Sequence, residues 1–288
     1  RLVPNHVIRK AAFTRARENP DLELLDEHKA VEASPGSRRS IVKLEDGSRL
    51  TAKLVVAADT RFSSVRQQAG IAASMHDFGQ TMLVCRMTHE TGHENTAWEC
   101  FLYGSTIAVL PLNGDMSSIV LTLPQHLAVQ WLDKPAETYA ADIERALCGR
   151  FGQMELVSER IAYPLVGVYA EQFVSDGFAL VGDAAVGMHP VTAHGYNFCV
   201  TGAHALAQRV ARAASQGNDI RSRSLLGSYE LEHRLRTRPL YEATKRLVQL
   251  YTTETPLVRA ARKALLHSGN AMVPAKAAIA GLLTRHAA

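Results

Sequence analysis

FALVGDAAVGMHPVTAHGYNFCVTG, residues 178–202, decides how the rest of the chain is read. The apolar run Phe178–Val181 predicts a buried strand that ends in Gly182-Asp183. A loop with Gly187, Pro190 and Gly195 then leads into a helix expected from about Tyr196 to Ser215. Glycine at a strand end lets a ligand approach the backbone, because no Cβ stands in the way. Asp183 is placed there to accept hydrogen bonds from sugar-type hydroxyls. The helix start presents unpaired N–H groups and favours negative charge, which suits an anion or a ring that becomes anionic. The plainer alternative is a tight strand–loop–helix connection whose aspartate serves only the local backbone.

A second stretch, LVVAADTRFSSVR at residues 54–66, has the same grammar. Leu54–Ala57 predicts an interior strand ending at Asp59, and an Arg/Ser-rich turn leads into a helix with Ser63 and Arg66. A carboxylate and two arginines at a strand's carboxyl end suit a phosphate-bearing ligand. The competing reading is a capped helix with solvated charges.

The remaining elements frame these two. Residues 5–18 predict a helix with Asn5 as N-cap, and Leu22–Leu25 a short strand. Asp46-Gly47 predicts a hairpin turn within residues 40–57. Four strand-like runs between residues 77 and 124, with a turn at Asn113-Gly114, predict an antiparallel sheet. Residues 135–151 predict an amphipathic helix, and the chain from Ser222 reads as mostly helical, with Pro239, Pro256 and Pro274 marking breaks. The fold class is therefore mixed α/β: a partial α/β layer, an antiparallel-sheet insert, a return to α/β and a helical tail. A sheet inserted in this way places a substrate over a ligand held at the carboxyl ends of the α/β strands.

Composition bounds the function. The chain has 288 residues, 47% hydrophobic and 21% charged, which excludes disorder, collagen and small disulfide scaffolds. A net charge of +4 is too small to argue for nucleic acid, and no nucleic-acid partner is expected. The four cysteines form no CxxC pair, which favours a reducing compartment and gives no zinc-ribbon signal. No signal-peptide pattern and no membrane-length apolar run is present. The chain opens at Arg1 without an initiator Met, so a cut or trim upstream is expected.

Two histidine patterns compete for attention. His89-Glu90-Thr91-Gly92-His93 matches the zinc-protease string HExxH, but Gly92 and the strand-like flanks make it a polar loop of the sheet insert. No metal is expected. His189 and His194 flank the glycine-rich loop with Pro190 between them, which is poor ligand geometry. A structural role is the first reading for both, with proton handling as the second.

Taken together, VVAADTRFSSVR and ALVGDAAVGMHPVTAHGYN resemble the two internal motifs of FAD-dependent aromatic hydroxylases of the p-hydroxybenzoate-hydroxylase-like class. Within that class the chain is most similar to the ubiquinone-biosynthesis hydroxylases. GDAAVGMHPVTAHGYN and RLRTRPLYEATKRLVQLY look like the 5-demethoxyubiquinol-hydroxylase branch, and LVPNHVIR resembles that family's opening of the helix before the sheet. Thr60 departs from the glycine usual at its position. The family also carries a GxGxxG fingerprint upstream, and no such string occurs here, so the chain resembles the family without its ADP-binding unit.

The resemblance implies FAD and NAD(P)H as cofactors and a monooxygenase that hydroxylates an aromatic, polyprenylated ubiquinone precursor with O₂. It implies that Asp183 contacts the ribityl or pyrophosphate region of FAD, with Gly182 permitting the approach, and that Pro190, Gly195, Tyr196 and Asn197 line the isoalloxazine ring. Asp59 and Arg66 would support the pyrophosphate side and the NAD(P)H approach, and Arg9 would reach FAD from the first helix. No catalytic base is assigned, since a phenol or quinol ring is already activated. The implied domains are a partial FAD-binding segment at 1–74, a substrate sheet at 75–175, a return to the FAD-binding domain at 176–220 and a helical region at 221–288. A cytoplasmic protein is expected. The segment from Pro256 to Ala288 is basic, apolar and free of Asp and Glu, which suits peripheral contact with an anionic inner-membrane surface. Packing on its own domain, in a homodimer or in a biosynthetic complex is the competing reading. Two other functions stay open, a flavin hydroxylase of a soluble aromatic and a non-catalytic chain.

Overall fold

The computed structural model describes residues 3–36, 38–102, 104–192, 195–252, 255, 256, 258 and 259. In chain order the helices are α1 (Asn5–Arg17), α2 (Ser64–Gln68), α3 (Gln125–Leu132), α4 (Ala136–Ala146), α5 (Gly195–Ser215) and α6 (Arg223–Thr252). The strands are β1 (Ala30–Ser34), β2 (Ser40–Leu44), β3 (Arg49–Ala52), β4 (Val55–Ala57), β5 (Ala73–His89), β6 (Trp98–Leu102) and β7 (Ser105–Pro111). They continue with β8 (Met116–Pro124), β9 (Met154–Leu156), β10 (Ile161–Ala170), β11 (Val174–Ser175), β12 (Phe178–Leu180) and β13 (Val186–Gly187). The mixed α/β class read from the sequence is the class observed.

The chain divides into two compact units, one of Arg1–Glu27 with Gly79–Leu165, the other of His28–Phe78 with residues from Val166 onward. In the first unit β8 pairs antiparallel with both β5 and β7, β7 with β6, and β9 with the end of β5. From Thr81 to His89 every second residue of β5 is buried; Leu83, Cys85 and Met87 form a core with Ile107, Val109, Ile119, Leu121 and Leu123. That core takes in Tyr139, Ala140 and Ile143 of α4, the period-two pattern of a half-buried sheet meeting a helix stripe.

The second unit holds the β1–β2–β3 meander, the β10–β13 pair and the β11–β12–β4 sheet. Strand β12 runs parallel to β4, with Phe178 opposite Val55 and Leu180 opposite Ala57. Helix α6 buries Leu226, Tyr229, His233, Thr237, Tyr241, Thr244 and Val248, one residue per turn along a single stripe.

Four local expectations need correction. Leu22–Leu25 is not a strand; Leu22 and Leu25 are exposed, and among the described residues no strand pairs with the run. Pro4, not Asn5, bounds α1, and no side chain caps it. The helix expected to reach residue 151 stops at Ala146, because Cys148 and Gly149 take left-handed φ values of 55° and 66°. Pro239 does not break α6. The buried stripe on both sides of it holds the helix together, and the Thr237 hydroxyl donates to the His233 carbonyl at 2.8 Å.

Candidate functional site

Parallel pairing of β4 with β12 delivers the loops that follow both strands to the same edge. The backbone zipper continues past the strands, with Val181 N–H donating to Ala57 O at 2.9 Å. The first loop turns into α2, whose N-cap Ser63 accepts from Arg66 N–H at 2.9 Å. The second turns at Gly182–Ala184, a single turn of 3-10 helix.

Two arginines bind the loops together. Arg66 is 2% exposed, and its Nη1 donates to Arg61 O at 3.1 Å and to Ala184 O at 3.0 Å. Burial lowers its pKa from the usual arginine value, and the nearby Asp59 charge opposes that. Arg61 reaches across: Nη2 donates to Asp183 Oδ2 at 3.1 Å and Nη1 to Val166 O at 2.9 Å. The pair is partly open to water, with side chains 28% and 38% exposed. Asp183 is thus held by a charge-assisted bond while still facing outward.

The connection to α5 is tight. Gly182 has φ 61°, and a Cβ there would lie 2.7 Å from Sγ of Cys199, the fifth residue of α5. At Gly195, among the described residues, no atom stands within 4 Å of where a Cβ would be. Tyr196 and Asn197 are exposed at the head of the helix, and Pro190 is exposed on the loop before it.

His189, just before that proline, is buried at 8% exposure. Its Nδ1 accepts from Val191 N–H at 3.2 Å. Burial, seconded by the Arg61 charge, pushes its pKa down to about 4, so the ring is neutral at pH 7. It meets the Phe78 ring edge-to-face at 4.7 Å, and Phe78 meets His76 likewise at 4.8 Å. Among the described residues Nε2 has no hydrogen-bond partner.

The structure therefore gathers Asp59, Arg66, Gly182 and Asp183 at one edge of the second unit, with Pro190, Gly195, Tyr196 and Asn197 on the connection that follows. Arg9 stands exposed on α1, in the first unit. His194 lies outside the described residues, as does nearly all of the basic tail. The sequence offers Arg61 only as one of two arginines suited to a phosphate-bearing ligand, and gives His189 a structural role first and proton handling second. Arg61 was inside the quoted motif, but nothing local distinguishes an arginine that turns inward from one that reaches a carboxylate 122 residues away. The HExxH string is a loop entered from the end of β5. His89 Nε2 pairs with Ser117 Oγ at 3.0 Å and His93 Nε2 with Leu112 O at 2.9 Å.

With this geometry in place, the class is defined. The chain belongs to the FAD binding domain family, which it matches over residues 5–244. The residues present fit such a cofactor: a clamped, partly exposed carboxylate at Asp183, space over Gly195 among the described residues, and the start of a 21-residue helix that favours negative charge. Among relatives, the chain is 42% identical over 283 residues to Ubiquinone hydroxylase UbiM of Neisseria meningitidis, covering 98% of this chain and 61% of that protein. It is 35% identical to Ubiquinone hydroxylase UbiL of Rhodospirillum rubrum, covering 99% and 66%. The chain thus spans about two thirds or less of these relatives' length. The crystal structure of P. aeruginosa PqsL in complex with 2-aminobenzoylacetate shares the fold at TM-score 0.75 and 20% identity, over 87% of this chain and 70% of that one.

Proposed function

We propose that the protein carrying this chain is an FAD-dependent monooxygenase that hydroxylates the aromatic ring of a ubiquinone precursor with NAD(P)H and O₂. The observation that carries the reading is 42% identity to a ubiquinone hydroxylase sustained over 98% of the chain. The strings GDAAVGMHPVTAHGYN and RLRTRPLYEATKRLVQLY favour a 5-demethoxyubiquinol as the substrate. When bound, FAD supplies the redox chemistry, taking a hydride from NAD(P)H and, with O₂, delivering one oxygen atom to the ring while the other leaves as water.

The chain's own residues bind, orient and shield. Asp183, pinned by Arg61, accepts hydrogen bonds from cofactor hydroxyls. The first-turn N–H groups of α5 favour negative charge on the ring system beside Gly195, Tyr196 and Asn197. Arg66 holds the two loops in register from inside, and Asp59, exposed beside them, is assigned with it to the pyrophosphate side and the NAD(P)H approach. Arg9 on α1 is assigned to FAD by the family resemblance alone. No side chain is assigned as a base, since a quinol ring is already electron-rich. The basic, apolar segment from Pro256 to Ala288 suits peripheral contact with an anionic membrane, where a polyprenylated substrate resides. Among the described residues no helix is long and apolar enough to cross one.

The test uses the full-length protein, purified with its flavin, given NAD(P)H, ¹⁸O₂ and a short-chain demethoxyubiquinol. Incorporation of one labelled oxygen into the ring is expected. NAD(P)H consumption that yields only hydrogen peroxide with this substrate, and a hydroxylated product with a simple soluble phenol, would move the assignment to a soluble aromatic.

A further inference from the structure

His189 holds a buried hydrogen-bond donor that the protein itself does not use. Its ring is 8% exposed. Because Nδ1 accepts from Val191 N–H, the proton of the neutral ring resides on Nε2. Nε2 is shut off from solvent and has no hydrogen-bond partner among the described residues. Buried polar groups are nearly always paired, so an unpaired donor in a native fold calls for a reason. Its surroundings narrow that reason. It directly precedes Pro190 on the loop that heads α5. Phe78 stands edge-to-face against it, and His76 edge-to-face against Phe78, so the ring lies in an aromatic surrounding. Arg61 adds positive charge nearby, which disfavours an imidazolium and keeps the ring a neutral donor.

We infer that His189 is a ligand-binding residue whose Nε2–H donates to an oxygen of the planar ring system bound at the head of α5. This rests on the function proposed above and goes beyond it by naming the contact. The shared chemistry is a carbonyl or phenolic oxygen on a conjugated ring, and it has two sources, the flavin or the aromatic substrate. Arg61 and Asp183 lie outside the inference: Arg61 ties the loops together and Asp183 serves the cofactor hydroxyls.

The experiment has two arms, both on the full-length protein. In the first, FAD is titrated into flavin-free wild type and His189→Leu and followed by fluorescence quenching. In the second, a short-chain quinol analogue is titrated into the FAD-loaded forms. Loss of one charge-free hydrogen bond predicts binding weaker by about tenfold in one arm. A loss in the first arm assigns the acceptor to the flavin, and a loss confined to the second assigns it to the substrate. The melting temperature of the flavin-free variant is expected to equal or exceed wild type, because leucine removes an unpaired buried donor. His189→Gln, which keeps an N–H, is expected to recover part of the affinity. Should the leucine variant not fold, ¹⁵N-histidine NMR of wild type gives the same answer through a shift of the His189 Nε2 resonance on adding FAD or the analogue. Unchanged affinity in both arms, no Nε2 shift with either ligand, or a flavin-free variant that melts lower while binding normally would each overturn the inference. A wild type that takes up no FAD would instead overturn the proposed function, and this inference with it.

Discussion

The Arg61 guanidinium and the Asp183 carboxylate meet at 3.1 Å although 122 residues separate them in the chain. Their meeting follows from one topological fact: β4 and β12 are parallel neighbours, so the loops leaving both strands emerge side by side. Arg61 also donates to Val166 O, which ties the same guanidinium to β10. One side chain therefore sets the position of the aspartate assigned to the cofactor.

Replacing Arg61 with alanine is expected to weaken FAD binding about tenfold, because Asp183 loses the group that aims it while keeping its charge. Arg61→Lys should recover little, since a single ammonium cannot serve both Val166 O and Asp183. Fluorescence titration of the flavin-free protein measures both. Asp183→Ala is expected to cost more, to the point that no flavin survives gel filtration; a variant that keeps stoichiometric flavin would refute the assignment of this residue.

Gly182→Ala should destabilise the fold by about 2–3 kcal/mol, combining a left-handed φ with a collision against Cys199 Sγ. The two causes separate in a double-mutant cycle. Adding Cys199→Gly relieves the collision and leaves the φ penalty, so roughly half the loss should return in urea unfolding.

Acid should weaken the protein through its buried histidines. Burial, the foremost cause in both, pushes His189 and His233 down to about 4, below the ordinary histidine value of 6.5. The unfolded chain therefore binds more protons between these two values, so stability rises with pH across that window and is lost as pH falls from 6.5 toward 4. Each ring contributes on the order of 3 kcal/mol over that span. Urea midpoints measured from pH 4 to pH 7 should show the slope, and His189→Leu and His233→Leu should each flatten it.

Pro239→Ala is expected to stabilise α6 by about 1–3 kcal/mol, because it restores a backbone donor within a continuous helix and removes the ring's clash with the preceding turn. Thermal unfolding of the variant checks this. A loss of stability would mean that the proline ring packs more usefully than the backbone bond it forgoes.

Gly202→Ala probes the joint of α5 with α6. A Cβ there would lie 2.6 Å from His233 Cε1, and that ring is wedged between the glycine and Phe173, with Tyr229 stacked against it. A loss of about 2–3 kcal/mol is expected in the same unfolding assay.

Much of this architecture is written in local chemistry. The period-two burial of Leu83, Cys85 and Met87, the hairpin turns at Asp46-Gly47 and Asn113-Gly114, and the strand–glycine–aspartate–loop–helix string at 178–202 all depend on neighbours within a few residues. Such features depend on backbone propensity and side-chain alternation, which a linear string displays. Leu22–Leu25 and Pro239 show the converse, because local chemistry does not decide them. A strand exists only if another strand pairs with it, and a helix survives a proline when its buried stripe packs well enough on both sides.

The division of labour at the site is of the second kind. Residue order alone marked Gly182, Asp183 and the helix start as a place for an anionic or ring-shaped ligand. It could not assign the two arginines of RFSSVR, one turned inward onto the carbonyls of Arg61 and Ala184, the other turned outward onto Asp183. Nor could it show that His189 keeps a donor in reserve against Phe78. Those assignments rest on which atoms lie within about 3 Å once β4 and β12 align, and hydrogen bonds fall off too steeply with distance and angle for spacing along the chain to stand in for position in space.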